Sequence, residues 1–317
     1  MESSQELLER LSQLKSKGIV ADLTRGQPSD QQLRLSDPKL SIVSPSDLDA
    51  SGLNLRNYPG GVAGIAEARE FFSEVLGAPP SQVLVGNNSS LELMYDTLIV
   101  ALTVGVPGGT KRWADEKISF ICPVPGYDRH FGICESLGID MIPVEMDQNG
   151  PNMDQVEELV ASSGSIKGMW CVPKYSNPSG ITYSESVVKR LASMKTAATD
   201  FRIWWDNAYS VHTVIEPGDT LLNIHQACEE FGNEERVFQF GSTSKVTYSA
   251  AGVGYMSMGA KNFAHLTNFF GFRTIGPNKI EQLREVRYLK SVGGIAAQMK
   301  RHAEFLRPKF EATFEVL

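Results

Sequence analysis

Short runs of β-branched and aromatic residues alternate along this chain with longer amphipathic stretches. The apolar runs at 83–85, 118–122, 141–144, 168–172, 201–205, 237–240 and 252–258 predict seven strands. Helical spacing fills the gaps at 91–102, 127–137, 154–161, 185–196 and 221–231. Such alternation predicts an α/β fold on a mostly parallel sheet covered by helices on both faces. Ligands of such sheets gather at the carboxyl ends of the strands, so function is to be sought just after each one.

The two ends depart from this rhythm. Before about residue 45 there is a charged helix and then an irregular run at 22–28. From 277 onward the pattern is helical only, at 279–290 and 295–316, with Gly293, Gly294 and Pro308 as expected interruptions. The chain stops in an amphipathic segment at 314–317 with no capping glycine or polar tail, which reads as an unfinished end. No internal repeat of fixed period is present.

Composition narrows the function classes. With 317 residues, 42% of them apolar and 21% charged, the chain can bury a large core and is neither disordered nor fibrous. A net charge of −7 without a dense basic run argues against a nucleic-acid partner. No stretch approaches the ~20 apolar residues of a spanning helix; the nearest, 91–102, is broken by Glu92 and Asp96. The first residues carry Glu2, Glu6, Glu9, Arg10 and Lys15 among leucines, unlike a signal peptide, so a cytoplasmic protein without a membrane partner is expected. Cys122, Cys134, Cys171 and Cys228 are widely spaced and read as reduced, mostly buried thiols, with no metal site. The scattered His130, His212, His225, His265 and His302 read as structural or surface residues rather than general bases.

The richest chemistry follows the run at 237–240, in Gly241-Ser242-Thr243-Ser244-Lys245. A lysine at a strand end beside hydroxyls can be held away from bulk water, lose its proton more easily and form a Schiff base with an aldehyde. Alone it reads as an exposed loop lysine. Its company changes that: the run at 201–205 leads into Asp206, with Tyr209 three residues on, and the run at 168–172 leads into Asn177-Pro178-Ser179-Gly180. A carboxylate such as Asp206 beneath the pyridine ring of pyridoxal phosphate (PLP) would keep the ring nitrogen protonated and the ring an electron sink. Tyr209 and Asn177 could hydrogen-bond the ring's phenolic oxygen; Asn177, preceding a proline, is held out of the helical region, although Asn-Pro is also an ordinary turn.

Asn177-Pro-Ser-Gly, Asp206-x-x-Tyr209 and Ser242-x-Ser244-Lys245, in that order and each after a strand, resemble the fold-type I PLP-dependent aminotransferases. The phrases Tyr58-Pro-Gly-Gly61, Gly86-Asn-Asn-Ser-Ser-Leu91, the extended Val172-to-Gly180 run and Thr274-Ile-Gly-Pro277 are similar to the type Ic aspartate aminotransferase branch, over roughly residues 26–310. The resemblance implies a large PLP-binding domain. It also implies that Asn88, Ser89 and Ser90, with Ser242 and Ser244, hold the cofactor phosphate. A helix N-terminus suits that role, and capping by Ser89 or Asn88 is compatible with it. Tyr127 would stack on the pyridine ring, and Tyr58 would reach a partner's cofactor phosphate across a homodimer interface.

On this reading residues 1–45 form an N-terminal segment packing with the small domain, 46–285 the PLP-binding large domain and 286–317 the start of an incomplete small domain. Two departures stand out. No basic residue lies between Tyr248 and Met258, where many aminotransferases place an arginine after the lysine, a feature shared by type Ic sequences. The arginine that grips the substrate α-carboxylate has no visible counterpart, with Lys174, Arg273 and Lys279 as candidate substitutes within the chain. The implied activity is amino transfer from an amino acid, aspartate first, to a 2-oxo acid, 2-oxoglutarate first, with Lys245, Asp206 and Tyr209 catalytic. A C–S β-lyase of the same fold and a non-catalytic PLP-fold binding protein are the alternatives.

Overall fold

A computed structural model describes residues 3–18, 26–58 and 61–316. Residues 22–25 of the irregular run, and Pro59 and Gly60 of the Tyr58–Gly61 phrase, lie outside the described residues. The strands are β1 (Val83–Val85), β2 (Ser119–Val124), β3 (Asp140–Asp147), β4 (Gly150–Pro151), β5 (Ile166–Cys171), β6 (Arg202–Asp206), β7 (Val237–Ser242) and β8 (Gly254–Met258). The helices are α1 (Ser4–Ser16), α2 (Asp30–Arg34), α3 (Ala66–Leu76), α4 (Ser90–Thr103), α5 (Asp128–Ser136), α6 (Met153–Ser162), α7 (Glu185–Ser193), α8 (Ile224–Glu230), α9 (Ala260–Arg273), α10 (Lys279–Ser291) and α11 (Ile295–Val316).

The sheet has eight strands in the order β1-β8-β7-β6-β5-β2-β3-β4, one more than expected. The addition is β4, a two-residue antiparallel pairing with the end of β3, too short to leave any periodicity in the sequence. Strands β3, β2, β5, β6 and β7 run parallel, whereas β8 is antiparallel to both β7 and β1. The carboxyl ends of β1, β2, β5, β6 and β7 therefore share one edge with the start of β8. The order in which the chain adds strands reverses between β2 and β5, which is where a crevice opens in folds of this kind.

Alternating side chains divide the core. On β6, Trp204 packs with α4, α5 and α9 on one face, while Trp205 packs with α6, α7 and α8 on the other. A third cluster joins α3 and α10 to β1 and β8, with Phe72 stacked on Tyr255 at 4.2 Å between ring centroids. Fully burying Leu93, Met94 and Leu98 of α4 stabilises its seat by roughly 1.5–3 kcal/mol each. Helices α3 and α9 lie outside the sequence expectations. Each buries every fourth residue, Ala68, Phe72 and Leu76 in one and Asn262, Leu266 and Phe270 in the other. Pro308 does not interrupt α11; the carbonyl its missing N–H leaves unpaired belongs to Glu304, which is exposed to water.

Candidate active site

The pieces of the site lie at the shared strand edge or a few residues beyond it. Beyond β1, Ser89 caps α4 by accepting from the Glu92 N–H at 3.2 Å, which leaves the Ser90 hydroxyl beside the open helix N-terminus. At the end of β7, Ser242 donates to Ser244 at 2.7 Å, and Ser244 donates on to the Asn88 carbonyl at 3.2 Å. The two serine pairs are drawn together by Gly254 at the start of β8. A Cβ on that residue would sit 2.7 Å from the Ser89 carbonyl carbon and 2.8 Å from the Ser90 nitrogen.

At the end of β6, Asp206 is buried, and one of its carboxylate oxygens lies 3.0 Å from His130 Nε2. His130 comes from α5, is itself buried, and lies flat on Trp170 with ring centroids 4.3 Å apart and planes 8° from parallel. The other oxygen, Asp206 Oδ1, is buried without a protein partner. Tyr127, at the N-cap of α5, meets the His130 ring edge-on. Burial, reinforced by the Asp206 charge, pushes the Tyr209 hydroxyl above its ordinary pKa, with a side-chain interaction from Asn177 opposing the rise. Tyr209 therefore stays a protonated donor at neutral pH. The Lys245 ammonium lies 5.0 Å from the centre of the Tyr209 ring.

Ser89, Ser90, Tyr127, Asn177, Asp206, Tyr209, Ser242, Ser244 and Lys245 all line one cavity of about 220 Å³, completed by Leu91, Met94, Val172 and Ala208. Two expected site residues do not line it. Asn88 meets the serine cradle through its carbonyl, the acceptor for Ser244, and lines a neighbouring depression. Tyr58 is 81% exposed and lies beside Thr274, Ile275 and Lys279. Lys245 also corrects an expectation: it is exposed in this chain rather than withdrawn from water, because it occupies a turn beyond the end of β7.

The cations suggested for a carboxylate grip lie elsewhere. Arg273 is paired with Glu92 at 3.1 Å and Asp96 at 2.8 Å. Lys174 donates to the Ser210 carbonyl at 3.0 Å and faces a different cavity, and Lys279 is buried next to Gly276. The residue that sequence reasoning missed is His130. Its only signal was position, three residues after Tyr127 on the first turn of a helix, since nothing in the sequence ties it to Asp206.

The donor set fits PLP. The partnerless buried Oδ1 of Asp206 suits a protonated pyridine nitrogen, the hydroxyls and amides at the start of α4 suit a phosphate, and Lys245 offers an amine suited to an aldehyde. All four cysteines are buried and free. Among the described residues no helix is long and apolar enough to cross a membrane.

Comparison with known proteins is consistent along the whole chain. The aspartate amino-transferase family model matches residues 2–317. A putative aminotransferase of Mycolicibacterium smegmatis is 45% identical over 316 residues, covering 96% of this chain and 72% of its own. The aspartate aminotransferase of Corynebacterium glutamicum is 44% identical over 315 residues, covering 99% and 72%. The crystal structure of a putative aminotransferase from Corynebacterium diphtheriae superposes with a TM-score of 0.94 at 41% identity, covering 98% of this chain and 77% of that one.

Proposed function

The chain belongs to the aspartate aminotransferase family of fold-type I, PLP-dependent enzymes, and from that premise we propose that it moves the amino group of aspartate to 2-oxoglutarate. The observation that carries the reading is the convergence of Lys245, the His130–Asp206 pair, Tyr209 with Asn177, and the serine cradle on one cavity. When bound, PLP supplies an aldehyde and an electron-withdrawing ring that ease loss of the Cα proton of an amino acid.

The chain's residues would do the rest. Ser89, Ser90, Ser242 and Ser244 anchor the phosphate, with Asn88 shaping the cradle through its carbonyl. Asp206, held through Oδ2 by His130, presents Oδ1 to the proton on the pyridine nitrogen. Tyr209 and Asn177 would orient the phenolic oxygen, and Tyr127 would cover the ring. Lys245 would hold the cofactor through its aldehyde and would carry the substrate's Cα proton as a general base and acid. We place the cofactor-binding unit within residues 46–285 of a homodimer. The 81% exposure of Tyr58, outside its own chain's cavity, suits a residue that serves the other protomer's phosphate.

The test is PLP-loaded protein incubated with aspartate and 2-oxoglutarate. Equal amounts of oxaloacetate and glutamate are expected, and none from Lys245→Ala. Pyruvate, ammonia and a thiol released from a cysteine conjugate, without transamination, would assign a β-lyase instead. No product under either condition would mark a binding protein.

A further inference from the structure

The turn that bears Lys245 is gripped from beneath by residues distant in the chain. Lys39 belongs to a short 3₁₀ turn, Asp37–Ser41, and is fully buried. Its ammonium donates to the Ala251 carbonyl and is ion-paired with both Glu281 and Glu285 of α10. Glu285, also fully buried, accepts from the Thr247 hydroxyl at 2.8 Å, two residues beyond Lys245. The next residue, Tyr248, donates to Asp37 at 2.7 Å. One lysine thus reaches the far arm of the turn directly, through Ala251, and the near arm through Glu285 and Thr247.

A buried ammonium with two carboxylates is an expensive way to fill a core. Similar apolar side chains are often as stabilising or more so, and what such a group adds best is a fixed register. The segment between Tyr248 and Met258 contains no basic residue of its own. Any cation that orders it must come from elsewhere in the fold, and the buried Lys39 is in contact with it.

We propose that Lys39 is a positioning residue for Lys245: by fixing the Ala251 carbonyl and, through Glu285, the Thr247 hydroxyl, it holds the turn so that Lys245, Ser242 and Ser244 face one cavity. The inference rests on Lys245 being the cofactor-bearing lysine.

Lys39→Met alone would leave the buried Glu285 carboxylate without an ion partner, while Glu281 keeps Arg284 at 2.7 Å, and would lower stability for that reason only. The pair K39M/E285Q keeps the cluster's net charge at its original value while removing the ammonium. In the cofactor-free protein, the amides of Val246, Thr247 and Val253, which donate to the Thr243 carbonyl or hydroxyl at 2.9 Å, should exchange hydrogen at least tenfold faster in this variant. Amides of β2 and β5 should be unchanged. The dissociation constant for PLP, read from an absorbance titration, should rise at least tenfold. Thr247→Val, which removes a single hydroxyl, should move both readouts the same way by about threefold, and it answers the question if the double variant fails to fold. Exchange in the turn equal to wild type, or raised alike in every strand, would make Lys39 a structural ion pair and overturn the inference. Borohydride mapping of the wild type keeps the two ideas apart. A label on a lysine other than Lys245 sinks the functional reading, whereas a label on Lys245 with an undisturbed turn sinks the positioning role alone.

Discussion

Replacing His130 by Phe isolates the contact that holds Asp206. The phenyl ring preserves the flat stacking on Trp170, so the change removes little besides the 3.0 Å contact to Asp206 Oδ2. His130 is 1% and Asp206 6% exposed, and Asp206 Oδ1 already has no protein partner. The carboxylate would then be buried with none. A hydrogen bond to a charged group contributes about 1.5–3 kcal/mol, and breaking a buried pair costs up to about 3–5 kcal/mol. A loss of roughly 2–4 kcal/mol is therefore expected in urea denaturation of the cofactor-free chain, or a fall of about 3–6 °C in Tm for a protein of this size. A double-mutant cycle with Asp206→Asn should return a coupling of about 1–3 kcal/mol. Turnover should drop at least tenfold as well, because a carboxylate free to rotate no longer presents Oδ1 to the cavity. A His130→Phe protein within about 0.5 kcal/mol of wild type, or a coupling below that value, would refute the claim that this histidine holds the aspartate.

Other consequences are open to measurement. Gly254→Ala would drive a methyl group into the Ser89–Ser90 peptide at 2.7–2.8 Å. The start of α4 should shift, weakening PLP binding at least tenfold by absorbance titration while β2 and β5 keep their hydrogen-exchange protection. Burial pushes both His212 and His225 down to about 4, and the nearby Lys245 ammonium adds to the effect at His212. Because these folded-state values lie below the ordinary 6.5, the stability they contribute is present above pH 6.5 and lost as the pH falls through about 4. The loss should be on the order of 1–3 kcal/mol apiece. Denaturation midpoints taken between pH 7 and 4.5 should show it, and His225→Gln, which can still meet Ser257, should flatten part of the slope.

Much of this was legible in the sequence because it rests on short-range pattern. The seven strands announce themselves as apolar runs, and residues that line the cavity follow them by a few positions, as in Asp206 after Trp204 and Trp205, or Lys245 after Phe238 and Phe240. What stayed hidden is long-range. The contacts of His130 with Asp206, and of Lys39 with Glu281 and Glu285, join residues 76 and more than 240 positions apart, and no periodicity encodes them. Helix α9 was obscured by a different cause: its buried face begins with Asn262, whose amide donates to the Glu235 carbonyl, so a polar residue occupies a core position. The expectation that Lys245 is sheltered from water failed because strand position fixes where a residue starts, not how far a following turn carries its side chain.

Borohydride reduction of the PLP-loaded protein, followed by peptide mapping, tests the central claim most directly. The account predicts one phosphopyridoxyl label, on Lys245, and its loss in Lys245→Ala. A label on Lys174, Lys279 or any other lysine, or no label after loading at saturating PLP, would contradict it.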